Sequence, residues 1–338
     1  MERYELAFGV TIGVHRVNLV KTQYFDIVIW TGDTSAHGFH LDMSILMMRV
    51  TKVTNLVKRY IARNNLVSSH RFSTLNISKF RTFEIYKSFS NQWKEWLTPD
   101  NTVETFRLGG YYSRIVDNIK IIALNTNLCA RKNVWTLFDC VQSSGQLQWL
   151  VDELKQAEDH NQRVIITGHL APSIFCTRVW LENYMLILER FHEIIVTSIF
   201  GHFHSDGINV YYSKKGVPIS AALLGSSFVS YNPGYKFYSI NEKGVVDEME
   251  AYYTNLTKLN AEGKNANVAF DKLYSSSGSY GLQSLTPRSL HQFLANMERN
   301  DTLLQLYYKN GHRDSDNMPK ICDKKCKKRT LRRIKIQL

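Results

Sequence analysis

Four side chains that can bind a metal ion follow apolar, strand-like segments of this chain. The segments and the residues behind them are 25–31 with Asp33, 163–167 with His169, and 194–200 with His202 and His204. A glycine separates each segment from its metal-competent residue, and glycine allows the chain to turn sharply there. Imidazole and carboxylate groups suit zinc and other divalent ions. The repeated pattern therefore predicts metal ligands at the ends of strands.

These residues should converge, although they are far apart in the sequence. In an open α/β sheet, ligands bind in the crevice beyond the carboxyl ends of the strands. A carboxylate that bridges two divalent ions lets them polarise a phosphoryl oxygen, so the set predicts phosphoester hydrolysis. His37, close behind Asp33, stands where a general acid could protonate the leaving oxygen. The alternative is that His37 is an ordinary loop histidine without a catalytic role.

Apolar and amphipathic segments alternate over most of the chain. Strands are predicted at 25–31, 119–125, 163–167, 194–200 and 218–224, and helices at 83–97 and 146–160. This order predicts a layered α/β domain. Beyond Glu250, a serine-rich patch at 275–279 reads as a linker and 288–308 as a helix that starts at Thr286-Pro287. We therefore expect a small helical lobe at the C-terminus.

The composition is that of a globular protein with a sizeable core. The chain has 338 residues, of which 44% are hydrophobic and 21% charged. No apolar run approaches the roughly 18 residues that predict a membrane span. Glu2 and Glu5 lie where a secretory signal would be basic and then apolar, so no export signal is visible.

The basic charge is concentrated at the C-terminus. The formal net charge is +12, and residues 320–338 contain nine Lys or Arg and one Asp. A solvated, mobile tail is the simplest interpretation, and binding to anionic lipid or nucleic acid is the alternative. The rest of the chain gives no reason to expect a nucleic-acid partner.

Cysteines and glycosylation sequons are weak indicators of the compartment. The five cysteines leave the redox state open, and no second Cys-x-x-Cys supports a structural zinc site. Asn-x-Ser/Thr sequons occur at Asn76, Asn255 and Asn300, which favours a secretory context only weakly.

A series of motifs resembles the acid sphingomyelinases, a family within the calcineurin-like metallophosphoesterases. The likeness covers roughly residues 25–326. The matching segments are 25–37 (FDIVIWTGDTSAH), 109–112 (GGYY), 124–129 (LNTNLC), 145–150 (GQLQWL), 168–172 (GHLAP), 201–204 (GHFH), 232–235 (NPGY), 253–257 (YTNLT), 306–312 (LYYKNGH) and the Cys322/Cys326 pair.

The resemblance implies a fold and a metal centre. The fold would be a layered metallophosphoesterase β-sandwich flanked by helices over residues 1–250, then a helical lobe at 251–326 and the basic tail at 327–338. Asp33 looks like the carboxylate that bridges two zinc ions. His169 and His202 look like ligands of one zinc, and His204 like a ligand of the other. His37 resembles a histidine that assists the departing ceramide oxygen.

The resemblance also implies substrate contacts and disulfides. Asn183 and Tyr184 fall in a stretch that lines the substrate cleft in similar enzymes. Cys129 with Cys176, and Cys322 with Cys326, resemble disulfides of the family, which leaves Cys140 as a buried thiol. Disulfides need an oxidising compartment, so the expected location is secreted or lysosomal.

Two metal motifs of the family have no counterpart in the chain. Asp-x-His after the first strand is absent, and the first strand is itself expected to be missing. The Gly-Asn-His motif is absent where residues 63–70 read RNNLVSSH, although Asn64, Asn65 or His70 could approach a metal. One zinc would then keep three protein ligands and the other two, so one or two zinc ions are expected.

Three functions remain open at this point. The first is a zinc-dependent sphingomyelin phosphodiesterase that releases ceramide and phosphocholine, acting as a monomer on sphingomyelin or a similar phosphodiester lipid at a membrane surface. The second is a catalytically impaired relative that acts as a binding or regulatory protein, which the missing motifs favour. The third is a related phosphodiesterase that acts on nucleotides or polyphosphate.

Overall fold

The computed structural model describes residues 4–8, 27–30, 65–68, 82–97, 100–133, 145–228, 231–241, 244–263 and 266–337. These residues form two β-sheets, named sheet I and sheet II here, with helices around them. Several residues singled out from the sequence lie outside the described ranges, namely Asp33, His37, Asn64, His70, Asn76 and Cys140.

Sheet I has six strands. They are β1 (Tyr4–Phe8), β2 (Ile27–Trp30), β3 (Asn65–Ser68), β10 (Gly234–Ile240), β11 (Val246–Tyr253) and β12 (Asp271–Ser275). Their order across the sheet is β12-β11-β10-β1-β2-β3, with β1, β2 and β3 parallel to one another. β1 lies between β10 and β2 in this order.

Sheet II has seven strands. They are β4 (Tyr112–Val116), β5 (Ile119–Ala123), β6 (Arg163–Leu170), β7 (Ile195–Gly201), β8 (Gly207–Tyr212), β9 (Pro218–Leu224) and β13 (Lys335–Ile336). Their order is β13-β8-β9-β7-β6-β5-β4. β5, β6, β7 and β9 run parallel to their neighbours in this series, so their carboxyl ends meet at one edge of the sheet. This edge confirms the predicted placement of the segments before His169 and His202.

Both faces of sheet II are buried. One face shares a core with sheet I, to which Ile29, Ile165, Ile199 and Tyr238 contribute. The other face packs against helices α3 (Gln146–Asp159) and α4 (Arg178–Phe191) through residues such as Ile166. The continuous run of buried residues in β6 is the pattern of a strand covered on both sides. The layered α/β fold predicted from the sequence is confirmed.

The helices follow their predicted positions, with shorter ends. α1 (Thr82–Gln92) ends before the predicted residue 97, and residues 93–97 continue as turns. α2 (Asp100–Gly109) follows, and α3 matches its prediction to within one residue. α3 buries Leu150, Leu154 and Ala157, which recur at helical spacing along one face.

The C-terminal region combines helices with a strand. It contains α5 (Leu256–Glu262), α6 (Ser276–Tyr280), α7 (Pro287–Arg299), α8 (Asp301–Gly311) and strand β12. The predicted helix 288–308 is two helices, because the Asn300 side chain accepts the Leu303 N–H at 3.1 Å and caps a new one. The serine-rich patch is not a linker, since it ends β12 and forms α6. Phe293 of α7 belongs to the core between the sheets.

The basic tail is ordered, which corrects the expectation of a mobile segment. Residues of this tail form α9 (Lys324–Ile334), whose first turn is capped by Asp323, and then β13. β13 pairs in parallel with β8, and Ile334 and Ile336 are buried. Apolar residues that lie among the cations of α9 pack the helix against the rest of the protein. The net charge of the segment did not indicate this packing. Among the described residues, no helix is both long enough and apolar enough to span a bilayer.

Candidate metal centre

A β-bulge at the end of β6 positions His169. The pairing of β6 with β7 shifts register between Thr167 and Leu170, so Gly168 and His169 together oppose the single residue Phe200 and form a β-bulge. A Cβ on Gly168 would lie 2.8 Å from the Phe200 ring and 2.9 Å from the Thr126 methyl group, so only glycine fits. The Leu170 N–H donates to the Thr126 hydroxyl at 2.8 Å. The bulge is thus held by packing and by a buried hydrogen bond.

The turn after β7 holds its two histidines in an unfavourable backbone conformation. His202 has φ of +75° and His204 has φ of +57°. The Phe203 N–H donates to the Gly201 carbonyl at 3.0 Å, which closes a three-residue turn around His202. A non-glycine residue in this region costs roughly 1–3 kcal/mol and persists where its surroundings hold it. Such strain is concentrated at functional sites.

The imidazoles of His169 and His202 are in contact. His169 Nε2 and His202 Nδ1 are 3.1 Å apart, and the ring planes cross at 80°. With Zn–N distances of about 2.05 Å, two nitrogens at this separation subtend about 98° at a shared ion, not far below the tetrahedral angle of about 109°. Without metal, the same pair makes an N–H···N hydrogen bond. The pair therefore fits two ligands of one divalent ion.

His204, the other predicted ligand among the described residues, does not form a metal-binding group with this pair. Within the part of the chain that the structure describes, no group of three or more His, Cys, Asp or Glu residues is close enough to hold a metal. His204 is half-buried, on the same turn as His202, but its imidazole does not complete a three-histidine group. Asp33 and His37 lie outside the described residues, so their predicted roles stay predictions.

A buried cluster of charged residues contacts the turn that carries His202 and His204, called the histidine turn here. The fully buried guanidinium of Arg313 donates to Asp206 Oδ1 at 2.7 Å, to the His204 carbonyl at 3.0 Å and to the Asn232 carbonyl. Asp206 also accepts from the hydroxyls of Ser226 at 2.7 Å and Tyr274 at 2.9 Å. Arg313 therefore fixes the backbone of His204, two residues from the contact pair.

The electrostatics of this cluster favour an ionised Asp206. Burial alone would raise the pKa of the carboxyl, but the cations of Lys236 and Arg313 hold the pKa below its usual value. The Lys236 ammonium is 3.6 Å from Asp206 Oδ2 and donates to the Leu224 carbonyl at 2.8 Å. Burial lowers the pKa of Lys236, although Asp206 opposes that shift. Two buried cations thus share one buried carboxylate.

Tyr184 is a core residue, which corrects its predicted place in a substrate cleft. Its side chain is fully buried, stacks on Trp180 with ring centroids 5.2 Å apart and meets the edge of Tyr211. Trp180, Tyr184 and Leu188 recur at helical spacing on the buried face of α4, which turns Tyr184 toward sheet II. Asn183 is half-buried on α4, and its contact with substrate stays a prediction.

Both disulfides expected from the resemblance are present. Cys129 pairs with Cys176, and Cys322 with Cys326. The first joins the loop after β5 to the loop between β6 and α4, close to the histidine bulge. The second closes the segment that leads into α9.

The sequence analysis missed Thr126, Asp206 and Arg313. Asp206 follows His204 by two residues, and a carboxylate so close to two histidines is a sequence signal of a functional residue. Arg313 follows the segment 306–312 used in the resemblance, but nothing in its neighbourhood signals a partner about a hundred residues away. Thr126 lies within the segment 124–129, where a hydroxyl between two asparagines gives no sign of its partner.

Comparisons with known proteins find relatives among the sphingomyelin phosphodiesterases and similar phosphodiesterases. A family model described as the acid sphingomyelin phosphodiesterase C-terminal region matches residues 208–336. Sphingomyelin phosphodiesterases from Bos taurus and Homo sapiens are each 33% identical over 332 residues, covering 91% of this chain and 52% and 51% of theirs. A human cyclic GMP-AMP phosphodiesterase, SMPDL3A, is 25% identical over 331 residues, covering 90% of this chain and 72% of its own. The chain spans about half the length of the two sphingomyelin phosphodiesterases.

Proposed function

We propose that the chain, which belongs to the acid sphingomyelinase family, is a metal-dependent phosphodiesterase that cleaves sphingomyelin to ceramide and phosphocholine. The contact between His169 and His202 at the carboxyl edge of sheet II carries this proposal. Two imidazoles at ligand spacing, placed by a bulge and a strained turn, form the part of a metal centre that the described residues supply.

Each of the proposed site residues has a separate role. His169 and His202 would hold one divalent ion and His204 the other, and Asp33 would be a ligand shared by both, as the resemblance implies. A bound ion supplies positive charge that stabilises the phosphoryl oxygens as negative charge develops on them. Arg313 keeps the His204 backbone in place through its hydrogen bond to the carbonyl. Zinc is the proposed metal, because the donors are imidazoles and a carboxylate.

The chemical step is hydrolysis of the phosphodiester. The oxygen of a water molecule bonds to phosphorus while the bond between phosphorus and the ceramide oxygen breaks. His37 is the proposed proton donor to the departing ceramide oxygen, and water's proton leaves to solvent. The products are phosphocholine and ceramide. A sphingolipid headgroup is the proposed substrate because two of the relatives are sphingomyelin phosphodiesterases.

The two disulfides support a location in an oxidising compartment, and we place the protein in the lysosome or outside the cell.

Two sequon asparagines are compatible with glycosylation. Asn255 and Asn300 are exposed, and each uses Oδ1 to cap a helix. A glycan on Nδ2 would leave that oxygen free to accept, so the caps can persist. Asn76 lies outside the described residues. We propose a monomer.

The test is phosphocholine release from labelled sphingomyelin, at acid and neutral pH, by protein loaded with zinc or treated with chelator. Release is expected only with metal, and His169→Ala and His202→Ala should each abolish it. The matched control is His192→Ala, an exposed histidine at the end of α4, which should behave as wild type. No metal-dependent release from the wild-type chain would refute the proposal.

A second candidate is a relative that keeps the fold but has lost catalysis. The absence of a Gly-Asn-His motif from residues 63–70 favours it. Zinc analysis separates the two, since close to two zinc ions per chain supports the enzyme. One or none, without phosphocholine release, supports the non-catalytic relative. The similarity to a cyclic GMP-AMP phosphodiesterase makes nucleotide phosphodiesters a third substrate class, tested in the same assay.

A further inference from the structure

Three large apolar side chains are exposed beside the histidine turn. Ile174 is 63% exposed, Phe175 is 40% exposed and Val179 is 41% exposed. They lie on the loop between β6 and α4 and on the first turn of α4, and we name them the apolar lip. A single exposed apolar residue is ordinary on protein surfaces, but several together mark an interaction site.

The backbone under the apolar lip is firmly held. The Cys129–Cys176 disulfide ties the loop to the segment after β5, and Ala130 pairs with Cys176 as an antiparallel bridge. The Arg131 N–H donates to the Phe175 carbonyl at 2.8 Å, and the Thr177 N–H donates to the Cys129 carbonyl at 2.7 Å. These bonds satisfy the polar backbone and leave the lip side chains facing outward. The exposure is therefore a property of a cross-linked turn.

The apolar lip borders the candidate metal centre. The rings of Phe175 and Phe203 are in contact, with centroids 5.5 Å apart. Phe203 lies between His202 and His204 in the sequence. The bulge with His169 leads directly into the same loop. A surface that received the lip would consequently lie beside the histidine pair.

Cations flank the apolar lip. Arg131 and Lys132 are exposed, and among the described residues neither has an ion-pair partner. The Arg131 guanidinium donates to the Ile174 carbonyl at 3.4 Å, which places its charge at the base of the lip. Arg178 is also exposed and pairs with Glu182. Apolar side chains with adjacent cations suit a lipid interface, where anionic headgroups lie next to acyl chains.

We infer that the apolar lip inserts into the surface of an anionic lipid bilayer, with Arg131 and Lys132 on the headgroup phosphates. This inference rests on the proposed function, since a lipid substrate must reach the histidine pair from a membrane. Insertion of Ile174 and Phe175 would set the histidine turn at the depth of the headgroups. The lip thus positions the site on its substrate's surface.

The test is sedimentation of the full chain with vesicles of phosphatidylcholine and phosphatidylserine. An Ile174→Ser/Phe175→Ser double variant should bind at least about tenfold more weakly, because each change removes a large apolar side chain from the lipid phase. The matched control is Val217→Ser, 54% exposed in the turn before β9, at the edge of sheet II opposite the histidines. It should bind as wild type does.

A charge variant examines the second part of the inference. Arg131→Gln/Lys132→Gln should weaken binding to phosphatidylserine vesicles by about fivefold per cation and leave binding to pure phosphatidylcholine almost unchanged. Thermal unfolding should be the same for the charge variant and for Val217→Ser, since they change exposed side chains, and should fall only slightly for Ile174→Ser/Phe175→Ser, which loses the ring contact of Phe175 with Phe203. Equal losses on both vesicle types would overturn the headgroup assignment.

Three results would overturn the inference. The double variant could bind vesicles as tightly as wild type, or Val217→Ser could weaken binding as strongly. Size-exclusion chromatography could instead show a wild-type dimer that the double variant converts to a monomer, which would make the lip a contact between copies. Vesicle binding needs no hydrolysis. A chain that binds vesicles but releases no phosphocholine would refute the proposed function and leave the lip intact.

Discussion

Replacing Arg313 with methionine should weaken metal binding as well as stability. The change removes three donor contacts of a fully buried guanidinium, to Asp206, to the His204 carbonyl and to the Asn232 carbonyl. Methionine can fill much of the space left by the side chain's stem. Asp206 keeps Lys236, 3.6 Å away, as its remaining cation.

The expected magnitudes follow from these contacts. Removing one partner of a buried ion pair costs about 3–5 kcal/mol of unfolding free energy, and the remaining Lys236 favours the lower end. Loss of the bond to the His204 carbonyl frees a turn held at positive φ, so zinc affinity should fall roughly 10–100-fold, as for other residues that support metal ligands. Urea unfolding measures the first quantity, and competition with a chromophoric chelator measures the second.

Lys236→Met is the matched control, because Lys236 contacts Asp206 but makes no bond to the histidine turn. It should lower stability by a similar amount and leave zinc affinity close to wild type. Arg313→Lys should restore part of the stability and little of the affinity, since an ammonium cannot reproduce the planar fork of donors. Equal losses of zinc affinity in Arg313→Met and Lys236→Met would refute the reasoning.

Three further predictions concern the same region. Because the pKa of Asp206 is lower in the folded protein, its ionisation stabilises the fold above the unfolded aspartate pKa of about 3.9. This stability should be lost as the pH falls through the lower folded pKa, so denaturation at a series of pH values should show a decline below about pH 4. Asp206→Asn should remove that decline. Gly168→Ala should cost roughly 1–3 kcal/mol by overpacking against Phe200, while Gly225→Ala, with its nearest contact at 3.5 Å, should cost much less in the same unfolding assay. Tyr184→Phe should change the unfolding free energy by less than about 1 kcal/mol, because among the described residues its buried hydroxyl has at most a weak contact with Ser198. Tyr184→Ala should cost about 3–5 kcal/mol, and a loss of that size in Tyr184→Phe would contradict the structure.

The sheet II strands were predictable because burial on both faces leaves long apolar runs. The segment before His169 and the segment 218–224 are examples, and the latter has the predicted bounds. The ends of elements were less predictable. Asn300 splits one predicted helix into two through a single capping bond, and β6 continues past its expected end because a bulge lets pairing resume at Leu170.

Contacts between distant residues could be predicted only where a general rule of the fold brings them together. The contact of His169 with His202 followed from their shared place at strand ends, a rule that needs only local patterns. The contact of Arg313 with Asp206 and His204 depends on how α8 ends beside the β7–β8 turn, which no local pattern encodes. The order of α9 depends on Ile334 and Ile336 finding an apolar surface, whereas charge composition indicated solvent.

X-ray absorption at the zinc edge tests the metal centre most directly. Zinc-loaded wild-type protein should show scattering from imidazole ligands, and His169→Ala and His202→Ala should each lose one imidazole from the same ion. Unchanged imidazole scattering in both variants would contradict the assignment of these two histidines as partners on one metal.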